Sequence, residues 1–215
     1  MVTITVAGSA EHFLPAERGT VRLEIRRESR SRTQALSEVT SLHSRIREEA
    51  RAEQDSGAAT WWSADQVFVS TVRRYLKDSD VTELLHVAAA SVRVKYRDFD
   101  ALGRWVGSIS ETPGIVVSGV DWDVTAARRA SAEKEVRVAA VRDARERAAA
   151  YASALGLGEV RVLTLFEPGL RPHASIEGGV ALMSRAAAFG GAEELALKPE
   201  DIRVSASVSA DFEAV

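Results

Sequence analysis

The stretch from Ala130 to Leu155, ASAEKEVRVAAVRDARERAAAYASAL, holds neither Pro nor Gly and ends against Gly156. Ala, Arg and Glu are strong helix formers, so the stretch predicts one rod of about 40 Å at ~1.5 Å per residue. Val136, Ala140, Ala144, Ala148, Tyr151 and Leu155 recur at steps of three or four and trace a narrow stripe, mostly of small side chains, along one side. Small side chains let a helix lie close to a sheet. Arg137, Arg142, Asp143, Arg145, Glu146 and Arg147 take the other faces and belong in water. Such a rod cannot bury its stripe alone, so the rest of the chain must supply the sheet.

It has the pattern to do so. Val2, Ile4 and Val6 alternate with threonines as a short strand, and Gly8 to Pro15 reads as a turn. Val21, Leu23 and Ile25 alternate with charged residues as a second strand. Ser31 and Gln34 fit a capping box opening a helix to about Gln54, with Ala35, Val39, Leu42, Ile46 and Ala50 inward. Trp61 to Leu76 and Val81 to Arg97 read as two strands joined by a polar turn. Asp98 caps a shorter helix with Phe99, Leu102, Val106 and Ile109 inward, broken at Thr112-Pro113-Gly114. Val116 to Val124 is a strand before the rod; Glu159 to Glu167, apolar on both faces, is one after it. Ile202 to Phe212 alternates most cleanly of all. Between these last two, residues 168–199 exceed an ordinary loop and form a candidate mobile loop carrying Arg171, His173 and Met183, with room for a short helix over 180–189.

The order β-β-α-β-β-α-β-α-β-β alternates hairpins with single helices. It predicts an α+β fold, with antiparallel or mixed sheets carrying one long and two shorter helices. The 215 residues are enough for one large domain, 1–215, with a loose division near residue 98.

Reactive chemistry finds little support. Cys is absent, which excludes disulfides, thiolate nucleophiles and Cys-zinc sites. His12, His43, His86 and His173 are scattered with no ligand spacing. His86 reads as a hydrogen-bonded strand residue and His43 as a boundary residue. Asp121 and Asp123 share a strand face, best read as solvated. A nucleophile elbow and a phosphate-binding loop are absent, and Gly156-Leu157-Gly158 follows a helix where the dinucleotide fingerprint follows a strand. A net charge of -3 gives no excess of positive charge for nucleic acid, and the arginines around Arg22 to Arg32 are interleaved with glutamates. No catalytic, cofactor or metal residues are therefore assigned. No apolar run approaches the ~20 residues of a membrane span. The start, MVTITVAGSAEHF, lacks a basic region and apolar core, so a cytoplasmic setting is expected, or a periplasmic or extracellular one if a leader was removed.

Trp61 and Trp62 are adjacent, so on a strand one faces each way and one is expected on the surface. With the two-sided strand at Glu159 to Glu167, they predict more apolar surface than one core needs, and hence self-association, with Trp61 and Trp62 as a candidate interaction surface.

Ordered features along nearly the whole chain resemble the SIMPL-domain family, also called DUF541. VTITVAGSA is similar to its opening strand, and Gly19 to Arg26 to its second. Tyr96 to Gly103 is similar to the segment leading into its middle helix, and IRVSASVSADFEAV to its closing strand. Ala139 to Gly158, AAVRDARERAAAYASALGLG, resembles its Ala-Arg-rich helix ending in Leu-Gly. The resemblance implies an α+β fold and ring-like or channel-like assembly. It implies kinship with bacterial periplasmic or surface antigens, an oxidative-stress-defence protein and an animal kinase-binding adaptor. The family has no established catalytic residues, so none are carried over. The chain departs from the family at Trp61–Leu76, at 168–199 and in lacking a signal peptide. The expected function is a non-enzymatic, self-associating protein of stress response or cell envelope. A small-molecule site or enzyme built on 168–199, with Arg171 or His173 near a cleft, and an adaptor for another protein are the alternatives.

Overall fold

The rod is a single unbroken helix, α3 (Ala126–Ala154), and it opens four residues earlier than expected, where the Thr125 hydroxyl accepts the Arg128 N–H. Its far end closes as a Schellman motif. Gly156 takes φ +69, Leu157 N–H reaches the Ala152 carbonyl at 2.9 Å, and Gly156 N–H reaches that of Ser153 at 3.0 Å. The computed structural model describes residues 1–75, 82–171 and 198–215. They belong to two units, and the chain passes between them at Pro15/Ala16 and Asp123/Val124.

In the first unit α3 lies on an antiparallel sheet of β1 (Val2–Leu14), β8 (Ile202–Ala214) and β7 (Val160–Phe166), in the order β1-β8-β7. Strand β1 is twice as long as its opening alternation suggests. The stretch Gly8 to Pro15, read as a turn, continues the strand as far as Leu14, in register with β8 from Gly8 opposite Val208 to Leu14 opposite Ile202. A partner two hundred residues away overrides the local turn signals. Gly8 is where helix and strand backbones meet: a Cβ there would stand 2.2 Å from the Ala140 carbonyl oxygen and 2.6 Å from the Ala144 nitrogen. Ala132, Val136, Ala140, Ala144, Ala148 and Ala152 form the buried stripe. Tyr151 and Leu155, expected on it, are exposed. A row at steps of four runs inclined to the helix axis by about 26°, and the twisted sheet beneath follows it, so burial passes to Ala152.

In the second unit β2 (Arg18–Ser29) is flanked by β5 (Thr82–Tyr96) and β6 (Ile115–Asp123). The other edge of β5 is shared by β3 (Ala59–Ala64) and β4 (Phe68–Tyr75), all antiparallel. The stretch Trp61 to Leu76 is thus two strands on one partner. Two helices, α1 (Arg32–Asp55) and α2 (Phe99–Ser110), pack on this sheet around Val21, Leu23, Ile25, Val92, Val94, Tyr96 and Leu102. The α1 cap forms by half: Ser31 accepts the Gln34 N–H, while Ser29, not Gln34, takes the Ser31 N–H. His43 is buried where Leu42 was expected to be, and Leu42 is only partly covered. Trp105, absent from the expected inner face of α2, is buried against Tyr96 with ring centroids 5.8 Å apart. The expected α+β order and antiparallel sheets are present.

Candidate interaction surface

Strand β7 pairs with β8 alone, so it is an edge of the first unit's sheet. Its apolar residues alternate on neither face, and the structure leaves Val162, Leu163 and Leu165 61%, 52% and 50% exposed. Val162 and Leu165 stand opposite Phe212 and Ala210, on the face that α3 covers elsewhere. The register slips between Val162 and Thr164, which leaves Leu163 as the extra residue of a bulge. An edge strand presents a row of unpaired backbone groups, and soluble proteins blunt such edges with charges, Pro or bulges. Here Arg161 and the bulge are the devices present, against three large aliphatics.

The opposite edge of the same sheet is treated differently. The Asp143 carboxylate, on α3, accepts the Ser9 N–H of β1 at 2.9 Å and is itself held by the Arg147 side chain at 3.0 Å. The strand N–H and then the arginine hold the Asp143 carboxyl below the usual carboxylate range.

The sheet face away from α3 carries a polar clasp across all three strands. Asp211 of β8 accepts from Thr5 of β1 at 2.7 Å and from Thr164 of β7 at 2.8 Å. The Arg171 guanidinium completes it, paired with Asp211, donating to Ser209 at 2.6 Å and lying 5.3 Å from the Phe166 ring centroid. The Thr5 hydroxyl first, then Arg171 and Thr164, hold the Asp211 carboxyl well below the usual range. Arg171, foreseen at a cleft, is thus occupied in the clasp. His173 and Met183, and the helix expected over 180–189, lie outside the described residues.

In the second unit the two tryptophans part as the alternation requires. Trp62, opposite Val94, packs on the core; Trp61, opposite Lys95, is 43% exposed on the outer face. The Arg93 and Lys95 cations lie 5.9 and 6.0 Å from the Trp61 ring centroid. Phe68 and Ala89 share that outer face further along β5, and Phe68 is exposed. The histidines stay apart. His12 is 3.7 Å from Glu135, and His86 Nδ1 is 3.0 Å from the Thr71 hydroxyl. His43 Nε2 is buried without a partner, and burial, then Arg47, push its pKa down. Asp121 pairs with Arg22 at 3.2 Å on the open sheet face. Among the described residues no group of three or more His, Asp and Glu is placed to hold a metal ion. Nor is any described helix long and apolar enough to cross a membrane.

What this arrangement offers chemically is a place to add a strand. Residues 4–212 match the family model described as SIMPL, protein of unknown function (DUF541). No curated protein matches the sequence.

Proposed function

The chain belongs to the SIMPL family, whose function is unknown, and from that premise we propose that it is a non-enzymatic protein that works by assembling with further copies of itself along β7. The observation that carries this reading is the exposure of Val162, Leu163 and Leu165 on an edge strand whose outer backbone groups face no other strand among the described residues. The β1 edge of the same sheet has its Ser9 N–H taken by Asp143, which leaves β7 as the edge better suited to pairing. A second copy supplies the same edge, and pairing β7 against β7 would join two three-stranded sheets about a two-fold axis. A role in stress response or at the cell envelope is the setting that the family resemblance suggests for such an assembly.

The test is native mass spectrometry with light scattering over a range of concentrations. The expected mass is a multiple of the 23.2 kDa chain, reduced to one chain by Leu163→Lys together with Leu165→Lys. A mass of one chain for the unmodified protein at every concentration would sink the reading. An assembly untouched by both substitutions would move the interface off β7. A second reading, binding to a different protein, is favoured by Trp61 lying beneath Arg93 and Lys95 on an open sheet face, which suits an acidic partner segment. Its check is a pull-down that loses the partner on Trp61→Ser.

A further inference from the structure

In the second unit a cleft of about 450 Å³ opens between the end of α1 and the start of α2. Glu53 and the turn at Gly57 form one side; Arg97, Asp98, Arg104 and Trp105 form the other. The volume falls in the ~300–1,000 Å³ range of small-molecule sites.

We propose that this cleft binds a small organic anion through the guanidinium groups of Arg97 and Arg104. Both arginines line the cleft, yet among the described residues neither has a carboxylate within 4.0 Å or a side-chain hydrogen bond. Elsewhere on the same unit Arg22, Arg26, Arg45 and Arg74 all sit in ion pairs. The nearby carboxylates are otherwise engaged. Asp98 accepts the Ala101 N–H at 3.0 Å as the helix cap, and Glu49 accepts from the Trp105 indole at 3.1 Å. Glu53 makes no ion pair, and its burial pushes its pKa up, so at mildly acid pH it is a donor rather than a competing anion. The first turn of α2 adds the positive end of a helix dipole.

An independent observation points the same way. The Tyr96 hydroxyl is fully buried and has no hydrogen-bond partner. Its ring packs on Trp105, and the charges of Glu53 and Glu49 act on it, so the hydroxyl ends behind the Glu53–Trp105 side of the cleft. An orphaned buried hydroxyl is costly. An anion drawn in beside Glu53 gives it a route to satisfaction, directly or through water. The groups facing Glu53 are Arg104, Asp98 and Glu49, together with Arg97 across the cleft and Tyr96 behind. Of these, Glu53 is the one whose proton an incoming anion would stabilise, so binding takes up a proton there and strengthens as pH falls.

The test is calorimetric titration of the full chain with succinate and, separately, with inorganic phosphate, at about pH 5.5 and about pH 7.5. Saturable binding of either anion, tighter at the lower pH, is expected. Arg97→Gln with Arg104→Gln should weaken it about tenfold or more, with circular dichroism confirming that the variant is folded. Glu53→Gln should keep the affinity and lose its pH dependence. Succinate alone would identify a carboxylate site and phosphate alone a phosphate site. Absence of saturation with both anions at both pH values, or binding unchanged by the arginine substitutions, would overturn the proposal. Neither arginine lies on β7, so that failure would leave the mass measurement above untouched.

Discussion

In the first unit α3 meets its sheet through alanines, and at Gly8 the two backbones nearly touch. In the second unit α1 and α2 meet theirs through Val39, Ile46, Leu102, Trp105 and Ile109, side chains that stand the helices off the strands. Both solutions bury a helix on an antiparallel sheet, but they put the stabilising contacts in different places. Close backbone approach relies on the absence of atoms, and a layer of large side chains relies on their presence. The first core should therefore be most sensitive to addition and the second to removal.

Gly8→Val should have the largest effect. The new Cβ would overlap the Ala140 carbonyl and the Ala144 nitrogen, both rigid helix backbone, so α3 would have to lift along its length. A loss of at least about 3 kcal/mol is expected, concentrated in the first unit. Hydrogen exchange would check it: α3 amides should lose protection while those of α1 keep theirs. Leu102→Ala is the reciprocal change. Leu102 is fully buried in the second core, and its truncation should cost about 2–5 kcal/mol and deprotect α1 and α2 before α3. If each substitution deprotects both units equally, the contrast between the two cores fails.

These same contacts show what the sequence could and could not reveal. The alanine stripe was legible because helical periodicity is a local signal, and so were the caps at Ser31, Asp98 and Gly156. The second half of β1 was not. Gly8, Ser9 and Glu11 look like turn residues until β8 is laid beside them, and nothing near residue 8 announces a partner at residue 208. Gly8 within an alternating pattern was nonetheless a clue, since glycine in a strand often marks close approach of another backbone. The exposed aliphatics of β7 could be foreseen from its lack of alternation. The cleft could not. It depends on the end of α1 meeting the start of α2, and Glu53, Arg97 and Arg104 look like ordinary surface charges in sequence.

Acid should separate the units as well. Burial lowers the pKa of His43, with Arg47 adding to the effect and Asp65 opposing it. Below about pH 6.5 the unfolded chain binds a proton that the folded second unit resists, so stability falls with pH in that window. Glu53 has its pKa raised, so from about pH 4.3 upward it works the other way, favouring the folded state as pH falls. In the first unit Asp211 and Asp143 have depressed values. Their contribution is complete above about pH 4 and is lost as pH falls through those lower values. Exchange rates followed against pH should show α1 responding between about pH 6.5 and 5 while α3 holds until below about pH 4. His43→Leu should remove the first slope, and Asp211→Asn should diminish the second. A common midpoint for both helices would count against separate acid responses.

The smallest effect sharpens the contrast most cleanly, because it uses the same residue type as the largest. Gly103 lies inside α2, and a Cβ built there finds nothing within 4 Å. Glycine in a helix interior costs about 0.5–1 kcal/mol relative to alanine through the extra freedom of the unfolded chain. Gly103→Ala should therefore stabilise the second unit by about that amount, raising its melting midpoint by a few degrees, with α3 protection unchanged. Gly8 and Gly103 would then differ in sign as well as size. The difference could not be assigned to glycine as such, because one position has a helix backbone against it and the other has open space. A loss of stability from Gly103→Ala would mean that α2 is packed more tightly than its surroundings indicate, and the second core would then share the first one's intolerance of added atoms.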